Sequence, residues 1–219
     1  MRKLVQPMLA VALMMFAVAP FLILAAPNEA TMGVVYKIIY FHVPSAVLML
    51  TSAALCGVAS GLFLFGRRER ADHWAVAAAE LVVLFGAITL VTGPLWGRKA
   101  WGVWWVWDVR LTSSLLLWMV FIAYLMLRRF GGPGSEKLGA GLALFGMATA
   151  PFIYVSVNVW RTLHPQTTVI PSLPKDMATP FWFCWVAFFL LYGALMTMRA
   201  QLEAQRARVE ALYLAADEA

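Results

Sequence analysis

Charge is scarce in this sequence. Asp, Glu, Lys and Arg make up 13% of its 219 residues, against about a quarter in a soluble globular chain. So little charge beside 63% hydrophobic residues and a mean hydropathy of +0.78 excludes an ordinary soluble domain and indicates a membrane protein. Cysteine is nearly absent. Cys56 and Cys184 each stand alone in an apolar run with no C-x-x-C, which argues against thiol–disulfide exchange and a cysteine-bound zinc. A phosphate-binding loop is missing as well. The turn Gly131-Gly132-Pro133-Gly134 lacks the Lys-Ser/Thr such a loop needs, so any ATP hydrolysis belongs to a separate subunit. The net charge of +6 sits in short clusters between hydrophobic runs, a pattern of membrane topology rather than of nucleic-acid binding.

What is present is long apolar sequence. Runs near Leu4–Ala26, Ile38–Phe65, Ala75–Val91, Leu111–Leu127, Gly139–Val159 and Pro180–Met198 predict six transmembrane helices, each close to the roughly 20 residues a bilayer requires. Helices are demanded because lipid offers backbone groups no other partner. The first run continues from Met8 to Ala26, and its Ala17-Val18-Ala19 is followed by Pro20. A cleavable signal has a shorter core of about 7–15 residues, so this segment is expected to be retained. The expectation is one all-α unit over residues 1–219, with no separate soluble domain.

Basic residues orient it. Arg2, Lys3, Arg67, Arg68, Arg70, Arg128, Arg129, Lys137, Arg199, Arg206 and Arg208 fall on one side, and Lys37, Arg98, Lys99, Arg110, Arg161 and Lys175 on the other. Eleven against six predicts both termini in the cytoplasm. Segments Pro27–Lys37, Thr92–Arg110 and Trp160–Thr179 are then external. Glu80, an acid inside the third span, is expected to reach the interface or to pair with a neighbouring Arg.

The segment 92–112 between the third and fourth spans carries five tryptophans in twelve positions, Trp96, Trp101, Trp104, Trp105 and Trp107. If it is helical, Trp101, Trp104, Trp105 and Asp108 share one face, which predicts a short aromatic helix in the outer interface. A simple aromatic belt would populate both interfaces. Here Trp74 alone lies near the inner one, while Trp160, Trp182 and Trp185 join the outer group. Indoles offer flat apolar faces to an extended π-system, and Gly97 and Gly102 allow backbone to approach closely. A porphyrin fits such a surface. Arg98, Lys99 and Arg110 could meet its carboxylates, although lipid headgroups or Asp108 are the more natural partners for each of them.

Two of the three histidines face the same way. His42 precedes Pro44 at the outer entry to the second span, and His164 precedes Pro165 just beyond the fifth. Pro44 is expected to hold Val43 extended and to leave His42 on the lip of the helix. Imidazole is a standard axial ligand of haem iron, so His42 and His164 are the candidate metal ligands of one haem. With no histidine expected inside a helix, transmembrane electron transfer is not expected. His73, near Arg67–Arg70, reads as a solvated interfacial residue.

The run Trp101-Gly102-Val103-Trp104-Trp105-Val106-Trp107-Asp108-Val109-Arg110-Leu111-Thr112, with Phe41-His42-Val43-Pro44-Ser45-Ala46 and Leu163-His164-Pro165, resembles the WWD signature of haem-handling proteins. Over essentially the whole chain it looks like the haem exporter protein C (CcmC) family of cytochrome c maturation. The family pattern often has Gln directly after the second histidine, where this chain has Pro165-Gln166. The resemblance implies a non-enzymatic component of the bacterial inner membrane that holds one non-covalent haem b at the periplasmic face. Its site would comprise His42, His164, Trp96, Gly97, Trp101, Gly102, Trp104, Trp105, Trp107, Asp108 and Arg110. It also implies delivery to a periplasmic haem chaperone of the CcmE type, and assembly with a permease-like subunit, an ATPase subunit and a small single-span subunit of an ABC-type complex. The alternative is a six-span permease subunit of an ABC transporter for a non-haem substrate. The inner loops near Gly66–Trp74 and Arg128–Leu138 are short for a coupling helix. A haem lyase is disfavoured by the single histidine pair.

Overall fold

The computed structural model describes residues 2–160, 162–165 and 170–217; Arg161 and Gln166, named above from the sequence, lie outside them. Six helices are each long and apolar enough to cross a membrane. They are α1 (Arg2–Ala25), α2 (Ile39–Leu64), α3 (Glu69–Trp101), α4 (Val109–Phe130), α5 (Ser135–Val159) and α6 (Lys175–Asp217), with a 3-10 helix, Val34–Ile38, running directly into α2.

The central helix is α2, which packs on α3, α5 and α6, while α4 bridges α3 and α5. On the outside, α1 leans on α6, where Phe16 meets Phe188 edge-on at 5.0 Å. Lipid tails give helices no hydrophobic reason to associate, so close packing of small residues carries the contact. Helix α5 shows this on its buried face of Gly139, Ala140, Ala143, Gly146 and Ala150. A Cβ at Gly146 would fall 2.6 Å from the Phe121 ring of α4, and one at Gly57 of α2 would fall 2.3 Å from Met147 Cβ. No larger residue fits either place without separating the helices.

Near the start of α3 the bundle is closed by ion pairs. Arg128 of α4 donates two hydrogen bonds to Asp72, at 2.7 and 2.5 Å. Glu80 pairs with Arg199 of α6, which also reaches Glu203 at 3.3 Å. The partner foreseen for Glu80 therefore comes from the last helix.

The finish of α3 departs from expectation. Its helix does not stop at Val91 but continues through Gly93 and Pro94 to Trp101. Pro94 forfeits one N–H bond to the Leu90 carbonyl, a loss the ten further residues tolerate. The separate aromatic helix is not formed. Trp101 closes α3, Gly102 takes a left-handed cap at φ +77°, and residues 103–108 run without helix into α4. Left-handed geometry suits glycine because it has no Cβ to clash. The face predicted for Trp101, Trp104, Trp105 and Asp108 accordingly does not exist as a helical stripe.

Candidate functional site

A cavity of about 390 Å³ opens between the helices where α3 finishes. That is within the roughly 300–1,000 Å³ of ligand pockets. Ala46 and Met49 of α2, Thr89 and Gly93 of α3 and Leu111 of α4 form its inner wall. Trp96, Trp101, Trp104, Trp105, Trp182 and Trp185 line it as well.

His42 and His164 both line it. His42 is the fourth residue of α2 and not a lip residue: the 3-10 turn before Ile39 leads the chain into the helix early, so Val43 is helical and Pro44 lies in the second turn. Two histidines, His42 in α2 and His73 in the second turn of α3, thus sit inside helices, contrary to expectation. The His42 Nδ1 lies 2.9 Å from Thr92 Oγ1, and that hydroxyl donates its only proton to the Ile88 carbonyl at 2.6 Å. This favours Thr92 as acceptor toward the ring, so Nδ1 carries the proton and Nε2 keeps a free lone pair. His164 reaches the same state by another route. Its Nδ1 lies 2.8 Å from the Pro165 carbonyl, which can only accept, and Nε2 has no hydrogen-bond partner among the described residues. The two ring centroids are 6.4 Å apart, their planes inclined by 37°.

His164 is also kept neutral. Burial, reinforced by the Arg110 guanidinium, pushes its pKa down to about 4. A neutral imidazole with a free Nε2 is the form that binds metal.

Other residues singled out from the sequence separate into two groups. Trp96, Trp101, Trp104, Trp105 and Arg110 line the cavity, whereas Gly97, Gly102, Trp107 and Asp108 do not. Trp107 is 78% exposed and meets Trp105 edge-on at 5.8 Å. Gly97 is buried, and a Cβ there would sit 3.0 Å from the Trp101 ring. Gly102 shapes the turn. Asp108 caps α4 by accepting from the Leu111 N–H at 2.7 Å and accepts from the Thr162 hydroxyl with its second oxygen. Arg110 donates to the Ile153 carbonyl at 2.7 Å, and Arg98 to the Gly102 carbonyl. Lys99 is exposed.

The chain matches the family described as CcmC: Heme exporter protein C over residues 1–215. It belongs to the Heme exporter protein C family. It is 35% identical over 195 residues to the Heme exporter protein C of Bradyrhizobium diazoefficiens, covering 86% of this chain and 74% of that one. Against the Escherichia coli protein of the same name identity is 35% over 181 residues, 80% and 72% of the two chains. A putative cytochrome c biosynthesis ccmC-like mitochondrial protein of Marchantia polymorpha is 34% identical over 171 residues, 77% and 73%.

Within this CcmC-family chain, sequence reasoning missed four residues at the site. Trp182 and Trp185 had been noted only as interfacial, yet they line the cavity. Thr92 and Thr162 went unnoticed, and no local pattern marks them, because their partners lie 50 and 54 residues away.

Proposed function

We propose that this chain is a haem-handling component of cytochrome c biogenesis that holds one haem b, non-covalently, between His42 and His164 and passes it on. The histidine pair carries the reading. Metal–imidazole bonds of about 2 Å on either side of one iron place two ring centroids roughly 6 Å apart, and here they are 6.4 Å apart with neither Nε2 hydrogen-bonded among the described residues. The residues present fit the group. Trp96, Trp101, Trp104 and Trp105, with Trp182 and Trp185, supply flat apolar walls, and the Arg110 guanidinium lines the same cavity to meet a carboxylate.

Haem is cargo here, and two axial imidazoles leave its iron no open position for a substrate. The protein's own work is to keep two imidazoles neutral and aimed, and to exclude water with indole. The charge asymmetry supports a reading with the termini in the cytoplasm and the cavity at the periplasmic face of the bacterial inner membrane. From there the cargo goes to a periplasmic chaperone of the CcmE type. An ATPase subunit, a permease-like subunit and a small single-span subunit complete the complex. The exposure of Val103, Trp104 and Trp107 supports a contact surface for that chaperone.

The test is the visible spectrum of protein purified from haem-replete cells. The wild type is expected to carry the bands of a low-spin, six-coordinate haem, and the double variant His42→Ala, His164→Ala to carry none. Stoichiometric haem retained by the double variant would overturn the assignment.

A further inference from the structure

We propose that Thr92 and Thr162 are positioning residues for the histidine pair, one hydroxyl fixing the His42 ring and the other the His164 backbone, so that both imidazoles are held beside one cavity. The inference rests on the haem reading above. Neither threonine lines the cavity, so neither acts by touching the cargo.

An imidazole turns about its χ2 bond between two broad orientations, and only one of them presents Nε2. At His42 that choice is made by α3. Thr92 Oγ1 takes the Nδ1 proton at 2.9 Å. Its own proton is directed at the Ile88 carbonyl, one turn back on the same helix, which favours the accepting role toward the ring. The next residue, Gly93, sets the clearance: a Cβ there would lie 3.3 Å from His42 Cε1. The ring lies over a glycine and is hydrogen-bonded to the threonine beside it.

His164 stands in a loop, where no helix fixes its backbone. Thr162 does so instead. Its oxygen accepts the His164 backbone N–H at 3.1 Å while its proton goes to Asp108. The other oxygen of Asp108 caps α4 at 2.7 Å. One histidine is therefore tied through a hydroxyl to α3 and the other through a hydroxyl to the first turn of α4, two helices that pack against each other. The 6.4 Å between the rings is set by this frame before anything binds. On this view the aspartate of the tryptophan-rich segment is a strut for the second histidine. Groups that orient metal-bound histidines contribute about 10–100-fold to metal affinity when they are removed.

The experiment compares Thr92→Val, Thr92→Ala, Thr162→Val and Thr162→Ala with Thr92→Ser and Thr162→Ser, all in the full chain in detergent. In the haem-free protein, nitrogen NMR of ¹⁵N-labelled histidine reads which ring nitrogen of His42 carries the proton. The expectation is Nδ1 in the wild type and Thr92→Ser, and a mixture in Thr92→Val and Thr92→Ala. Titration with haem reads affinity, expected to fall about 10–100-fold in the Val and Ala variants and to recover in both Ser variants. Low-temperature electron paramagnetic resonance reads the angle between the bound rings, expected to broaden in the Thr162 variants. Wild-type affinity and an unchanged His42 proton in the Val and Ala variants would overturn the inference. Those results, with haem lost from His42→Ala, His164→Ala, sink the threonine roles alone. Haem kept by the histidine double variant sinks the haem reading itself, whatever the threonines do.

Discussion

The two ends of α3 solve opposite problems. Near its start, Asp72 and Glu80 are each met by an arginine from a different helix, and the charges cancel in place. Near its finish, Thr92 and its neighbours meet ring nitrogens and carbonyls. One end spends its polar groups on itself. The other sets two imidazoles beside a cavity, as the proposed haem site requires.

That contrast can be broken by mutation. The largest effect is expected at the closed end. The side chains of Arg128 and Asp72 are 16% and 15% exposed, so Arg128→Ala leaves a carboxylate buried alone and should cost about 3–5 kcal/mol. Thermal unfolding in detergent would record it, with haem affinity of the folded fraction unchanged. Next comes the α2–α5 seam. Gly57→Leu must push Met147 aside and should cost about 1–3 kcal/mol, again in melting temperature. At the open end, Trp185→Ala removes a wall of the cavity and should weaken haem binding roughly tenfold, about 1.4 kcal/mol, an aromatic contact's share. Trp107→Ala, outside the cavity, should leave the titration curve unaltered. Equal losses from the two would erase the distinction drawn between them. Glu80→Gln should cost less than about 1 kcal/mol, since its ion pair is partly exposed and such pairs contribute little.

Acid sharpens the same comparison. The folded chain holds His164 at about 4, below the roughly 6.5 of an unfolded chain. The unfolded state therefore takes up a proton first as pH falls. The His164 contribution to stability is whole above about pH 6.5, declines below it, and is lost once pH passes about 4. Carbon NMR of the ring in the haem-free protein should show its midpoint near the lower value. A midpoint near 6.5 would mean that the ring is solvated and the cavity open to water.

Much of this was legible in the residues themselves. Apolar runs marked all six helices because lipid leaves backbone no other choice, and His42, His164 and four cavity-lining tryptophans stood out by type and placement. The finish of α3 was hidden because Gly93-Pro94 reads locally as a stop, although a helix that loses one hydrogen bond can continue. The tryptophan spacing imitated a helical face, yet Gly102 at φ +77° ends the helix inside that very stripe. Trp185 was seen but not placed, since its position on the cavity depends on how α6 crosses α2. Thr92 and Thr162 could not be found at all. A hydroxyl acquires meaning only from its partner, and these partners are distant in the chain.

One helix carries a mechanical consequence. At 1.5 Å per residue, the 43 residues of α6 extend about 65 Å, against a hydrocarbon layer of about 30 Å. Residues 205–217 are exposed throughout, while Trp182 and Trp185 near the other end line the cavity. The helix is unbroken between them. One continuous rod therefore carries both the exposed turns and two indoles of the cavity wall, and its length exceeds the hydrocarbon layer about twofold.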